Sequence, residues 1–328
     1  MAIIDKPSDY FNTKLYTGNG STQSITGVGF QPYFTWIKSR NDTNSHFLFD
    51  AVRGATKLIN SNSNNAESTQ ADTLTSFDSD GFSLGDGTGV NGNSDTEASW
   101  NWLAGTAVSG STTGSGTAKT YTGSVNTTSG FSIIKYTGNG TAGHTIPHHL
   151  GAAPQMVIVK ALSTNDDWMV GHTAAGFNQF MILNSNVRDA TGTQFNSTVP
   201  TSSVFSIGSN NNMNQNDNSF IAYSFTNIKG FSKFAGYTGN NNADGTFVYT
   251  GFKPAWIIIK RDTNNYNWYM FDSKRDPTNI GANLLSNGFK IRSTGSYQND
   301  AEDYLYAAFA ENSFVATSGT SAIPVTAR

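Results

Sequence analysis

One phrase occurs three times along the chain, and it constrains every other reading. It runs Tyr16-Thr17-Gly18-Asn19-Gly20, Tyr136-Thr137-Gly138-Asn139-Gly140 and Tyr237-Thr238-Gly239-Asn240-Asn241, each with a phenylalanine upstream at Phe11, Phe131 and Phe231. A second phrase follows each time. It is Gly29-Phe30-Gln31-Pro32 before Phe34-Thr35-Trp36-Ile37-Lys38, then Gly151-Ala152-Ala153-Pro154 before Met156-Val157-Ile158-Val159-Lys160, then Gly251-Phe252-Lys253-Pro254 before Trp256-Ile257-Ile258-Ile259-Lys260. A turn thus feeds a strongly apolar strand that ends at a lysine. Self-similarity of this kind marks copies of one supersecondary unit.

The rest of each copy follows in order. Phe47-Leu48-Phe49, Trp168-Met169-Val170 and Trp268-Tyr269-Met270 fit a hairpin return. Gly81-Phe82-Ser83-Leu84, Val204-Phe205-Ser206-Ile207 and Gly288-Phe289-Lys290-Ile291 alternate as half-buried strands do. Each copy closes on a strand that carries Trp100 and Trp102, Tyr223 and Phe225, or Ala307 and Phe309 on one side. A composition poor in strong helix formers and rich in Asn, Ser, Thr and 33 Gly agrees with strands and tight turns. The expectation is an all-β chain of three tandem antiparallel β-sandwich repeat units of jelly-roll or lectin-like type. The boundaries are an N-terminal arm at 1–9, units at 10–104, 129–227 and 228–317, and a C-terminal arm at 318–328. A Ser/Gly/Thr-rich segment at 105–128 reads as a linker or an ordered strap. Thr226-Asn227-Ile228-Lys229 is too short for independent movement, so units two and three are expected to pack together.

Several function classes fall away on composition. The chain has 328 residues, a net charge of -3, 13% charged residues and no cysteine. That leaves no basic footprint for nucleic acid, no thiolate metal site and no disulfide. The longest apolar runs are strand-length, which argues against membrane insertion, and Met1-Ala2-Ile3-Ile4-Asp5 does not open a secretory signal.

The phrases resemble a repeat family of largely uncharacterised virion proteins of marine bacteriophages, labelled structural or tail-fibre-like. The features that carry the resemblance are the Tyr-Thr-Gly-Asn phrases, Trp36-Ile37-Lys38, Ala51-Val52-Arg53-Gly54-Ala55-Thr56-Lys57, Asp78-Ser79-Asp80-Gly81-Phe82-Ser83-Leu84-Gly85, Trp100-Asn101-Trp102, Tyr306-Ala307-Ala308-Phe309-Ala310-Glu311 and Pro324-Val325-Thr326-Ala327-Arg328. The resemblance implies a non-enzymatic virion protein, a tail-fibre or receptor-binding component that mediates host attachment. The alternatives are a capsid decoration, head-fibre or other tail-assembly protein, and, further off, a polysaccharide depolymerase. Implied partners are other virion proteins, copies of the chain as a homotrimer, and a host glycan or surface protein.

Candidate chemistry is sparse, and no cofactor or catalytic residue is expected. His144, His148 and His149 cluster in sequence and could converge on a metal, but a solvated turn explains them as well. Asp78-Ser79-Asp80-Gly81 and Asp86-Gly87 resemble a calcium-loop fragment without its terminal glutamate. Acids that a glycosidase could use are Asp50, Glu67, Glu97, Asp272, Glu302 and Asp303. By counting along the chain, Asp50 and Asp272 align with Gly171, and His46 with Asn267. Gly18-Asn19-Gly20 reads as a turn, not a phosphate cradle, because no helix follows. Tyr33, Tyr249, Tyr266 and Tyr297 are candidates for stacking on sugars or a receptor surface.

Overall fold

The computed structural model describes residues 3–189, 191–275 and 281–313. The fold is all-β and antiparallel. In the first unit, the strands Phe11–Thr17, Thr96–Trp102, Phe34–Ser39 and Phe47–Asp50 lie side by side in that order. The same order recurs in Phe131–Thr137, Ser219–Phe225, Met156–Ala161 and Met169–His172, and again in Ser232–Thr238, Asp303–Ser313, Phe252–Arg261 and Tyr269–Asp272. A three-stranded sheet covers one face of each large sheet; in unit one it is Gln23–Thr26, Gly81–Leu84 and Leu74–Asp78. Alternation places Ile37 and Phe49 against Ile25, Phe82 and Leu84, which closes one sandwich core. Equivalent clusters fill the other two.

The recurring Tyr-Thr-Gly-Asn phrase is half of a latch. Tyr136 donates its hydroxyl hydrogen to the Met213 carbonyl, and the next residue, Asn214, is fully buried. Its Oδ1 accepts from the Asn139 and Gly140 amides, while its Nδ2 donates to the Gly208 and Thr141 carbonyls. Tyr16 with Asn91, and Tyr237 with Asn299, repeat the arrangement. A β-carbon on Gly18, Gly138 or Gly239 would lie 2.1, 2.5 or 1.9 Å from a backbone carbonyl oxygen, so only glycine admits the close approach.

The opposite face of each large sheet, with its big aromatics, is not the inside of a sandwich. It faces the other two units. Trp36, Trp100 and Trp102 of unit one, Ile158, Tyr223 and Phe225 of unit two, and Trp256, Ile258 and Phe309 of unit three form one continuous buried cluster. Ring centroids lie 4.6 Å apart for Phe34 and Tyr223, 5.7 Å for Trp102 and Trp256, and 5.7 Å for Phe225 and Phe309. Each such side chain, fully buried, contributes roughly 1.5–3 kcal/mol. The three tandem units therefore form a ring around a pseudo-threefold axis, because those aromatic faces find their cover in one another.

Four details correct or locate the sequence reading. Segment 105–128 is an ordered strap. Thr106–Ser111 and Thr120–Asn126 form a hairpin that extends the large sheet of unit two, and Thr113–Gly114 joins its small sheet. Pro254 lies within the Phe252–Arg261 strand, at a bulge that relieves its missing amide, rather than ahead of the strand. The N-terminal arm docks through buried Ile4, whose amide donates to the Lys229 carbonyl. The expected C-terminal arm, 318–328, lies outside the described residues. Among the described residues no helix is long and apolar enough to cross a membrane.

Candidate functional site

Register, read from the pairing, replaces counting as the way to align the units. Trp36 pairs with Leu48, Ile158 with Val170 and Ile258 with Met270. It follows that Asp50, His172 and Asp272 occupy one position, and that His46, Trp168 and Trp268 occupy another. The alignments of Gly171 with the aspartates and of Asn267 with His46 are both off by one residue, because the loops between are unequal in length.

These positions stitch the ring together. Asp50 accepts from the Arg53 amide and, at 2.5 Å, from Arg53 Nε; its Oδ2 also accepts the hydroxyl of Tyr223 from unit two at 2.7 Å. His172 accepts the Ala174 amide on Nδ1 and donates from Nε2 to the Tyr306 carbonyl of unit three at 3.2 Å. Asp272 holds Arg275, whose guanidinium lies 4.7 Å over the ring of Trp100 in unit one. Unit one grips unit two, unit two grips unit three, and unit three grips unit one.

The lysine that ends each apolar strand has a structural use. Lys38 Nζ donates to the Ser39 and Asp42 carbonyls, Lys160 to those of Ala161 and Thr164, and Lys260 to those of Tyr266 and Asn186. Lys160 and Lys260 are wholly buried, and burial lowers both to about 8. They close the loop ends with charge-assisted bonds.

The sequence candidates are kept apart. His148 accepts from the Leu150 amide and donates to the Thr201 carbonyl, His149 meets the Tyr121 hydroxyl at 2.8 Å, and His144 sits against Asn139. Among the described residues no group of three His, Asp or Glu is arranged to hold a metal. Asp80 accepts from the Gly27 and Gly29 amides, and these two bonds depress its pKa; Asp78 accepts from Ser76 and Ser83. Arg53 ties Glu67 to Asp50, Arg261 pairs with Glu302, and Asp303 accepts from Thr238. Glu97 is sealed inside unit one with neither carboxylate oxygen hydrogen-bonded. Of the four tyrosines, Tyr33 leans toward the Gly105 carbonyl, Tyr266 carries Arg261, Tyr297 stacks on Tyr269 at 4.3 Å, and Tyr249 is 61% exposed. They do not converge.

Three concavities bear on the axis and on the junction of the units. On the axis, a cavity of about 30 Å³ lies among Phe34, Trp102, Tyr223, Phe225 and Phe309; an apolar void that small is a packing defect. Where all three units meet there is an open pocket of about 320 Å³, to which unit one gives Trp36 and His46, unit two gives Asn184 and Ser185, and unit three gives Asn267 and Trp268. Among the described residues no Asp, Glu, Lys or Arg lines it. The pocket shares His46 and Met270 with a basic depression of about 520 Å³ that includes Lys38, Arg40 and Arg275. Sequence reading passed over this pocket because its members come from three distant segments, and only the off-register alignment of His46 hinted at it.

A family model, described as a domain of unknown function, matches residues 6–313. No curated protein and no solved structure matches the chain. Since the match runs from the N-terminal turn to the last described strand, the chain belongs to the DUF7483 family.

Proposed function

We propose that the protein is a non-enzymatic structural protein of a bacteriophage virion, a tail-fibre or receptor-binding component that engages the host surface. The setting comes from the resemblance of its repeated phrases to phage virion proteins. The observation that carries the mode of action is chemical. Of the acids considered for catalysis, most are engaged in ion pairs or hydrogen bonds and Glu97 is sealed in a core, while the pocket at the meeting point of the units is open, uncharged and aromatic. Such a surface is suited to holding a ligand rather than turning it over.

In this reading the ring acts as a rigid head. Weak contacts multiply through several copies per particle, including the homotrimer expected from sequence. The test is adsorption: purified full-length chain added in excess is expected to slow phage attachment to host cells, and labelled antibody is expected to decorate the tail. Uniform decoration of the head, with adsorption unaffected, would instead assign the protein to the capsid surface and overturn the attachment role.

A further inference from the structure

We propose that the open pocket at the meeting point of the three units binds an uncharged saccharide of one or two rings, and that it exists because unit one carries His46 where units two and three carry tryptophan. The proposal rests on the attachment reading for its biology, although not for its chemistry.

The equivalent tryptophans show what normally fills the place. Trp168 is fully buried and donates its indole hydrogen across the seam to the Asn60 and Ser63 carbonyls of unit one. Trp268 does the same toward unit two, donating to the Ile182 carbonyl at 2.9 Å. Each indole plugs the seam to the preceding unit. Among the described residues His46 makes no such reach. Its Nδ1 accepts the Trp36 indole hydrogen within unit one at 2.8 Å, and the imidazole lacks the fused second ring that would fill the space. What is left open is about 320 Å³, at the small end of the roughly 300–1,000 Å³ of small-molecule sites.

The lining selects the ligand class. The indole N–H groups of Trp36 and Trp268 are already used, so both rings offer apolar surface. Around them stand neutral hydrogen-bonding groups. Because Nδ1 of His46 accepts, its ring hydrogen sits on Nε2 as a donor; burial, reinforced by the charges of Lys38 and Arg275, holds its pKa at about 4, so the ring is neutral. Asn62 and Asn184 are fixed by the His46 and Trp168 amides, which they accept, and each keeps further bonding capacity. Asn267, exposed, and Ser61 also line the pocket. An aromatic platform ringed by fixed amides and hydroxyls, without a formal charge, matches a sugar with one apolar face and a rim of hydroxyls. Among the described residues a carboxylate or phosphate would find no cation inside the pocket.

The full-length chain is titrated with methyl glycosides of glucose, galactose and N-acetylglucosamine, and with neutral disaccharides, by saturation-transfer NMR and tryptophan fluorescence. Binding is expected for at least one probe, equal at low and high salt. His46→Trp, a residue that the fold already accepts at two equivalent positions, fills the pocket and is expected to weaken binding about tenfold or more, the range of one stacking platform. Asn267→Ala, at an exposed position where folding is not at risk, is expected to weaken it to a smaller degree. No binding by any neutral probe, binding unchanged by both substitutions, or salt-sensitive binding of acidic sugars alone would overturn the proposal; the last would move the ligand to the basic depression beside it. The attachment reading fails separately: saccharide binding intact with no effect on adsorption sinks that reading alone. Failure of every neutral saccharide to bind, with adsorption still blocked by the full-length chain, sinks this one alone.

Discussion

Glu97 occupies the position that units two and three give to Phe220 and Tyr304, pairing with Tyr16 as they pair with Tyr136 and Tyr237. Its carboxyl is wholly buried, neither oxygen has a hydrogen-bond partner, and burial, with the Asp95 charge adding to it, raises its pKa from 4.5 to about 7. Each tenfold in proton affinity is worth about 1.4 kcal/mol. The ionised form is therefore roughly 3 kcal/mol less favourable in the fold than in the unfolded chain. The sign follows from proton counting. Between pH 4.5 and 7 the folded state keeps a proton that the unfolded state has released, so stability falls as pH rises, and above about 7 the whole penalty is present. Glu97→Gln keeps the shape and removes the ionisation. Its stability in urea is expected to match wild type near pH 4.5 and to exceed it by about 2–3 kcal/mol at pH 8. His46, His148 and His172, each held at about 4 mainly by burial, make both proteins less stable as pH falls below 6.5. That loss is common to the pair, so the difference between the two curves isolates Glu97. Parallel curves from pH 5 to 8, or a glutamine variant weaker than wild type at pH 8, would refute the reasoning.

Two further outcomes test the latch and a seam. Asn214→Ala removes two accepted and two donated bonds in a buried site and is expected to lower stability by roughly 2–4 kcal/mol in urea denaturation. Tyr223→Phe keeps the ring in the axial cluster but deletes its bond to Asp50; the expected loss, read as a fall in thermal midpoint, is about 1.5–3 kcal/mol for a bond to a charged acceptor.

Much of the fold was legible because the strands advertise their period. Trp100 and Trp102, with Tyr223 and Phe225 as their counterparts, had to share a side, and each sheet face needed cover. Which body supplies the cover is not written in a period of two, so the ring could not be read from the pattern alone. The segment 105–128 stayed open between linker and strap for a different reason. A run of Gly, Ser and Thr has low local preference for any state, and its strands form because the open edges at Phe131–Thr137 and His144–Pro147 accept them. The buried asparagines Asn91, Asn214 and Asn299, each bonding a carbonyl six residues upstream, carry no sequence mark that sets them apart from the many asparagines in turns. Glu97 did leave a trace, being an acid at an inward position where both counterparts are aromatic.

Holding three units in one chain frees each seam to differ, which a ring of identical subunits forbids. The position that carries Asp50, His172 and Asp272 shows the divergence. Between units one and two it makes a buried charge-assisted bond to Tyr223, and between units two and three a neutral imidazole bond to the Tyr306 carbonyl. Between units three and one it presents Arg275, with its side chain 25% exposed, to the face of Trp100. A cation over a ring is worth about 0.5–2 kcal/mol, and more when dry than when wet, so the partly exposed contact is weaker than the buried bond to a charged acceptor between units one and two, worth about 1.5–3 kcal/mol. The same seam holds the histidine that leaves the pocket open. Binding capacity and weak closure thus fall together, for one physical reason: the volume that a ligand needs is volume that packing does not use to hold the ring shut.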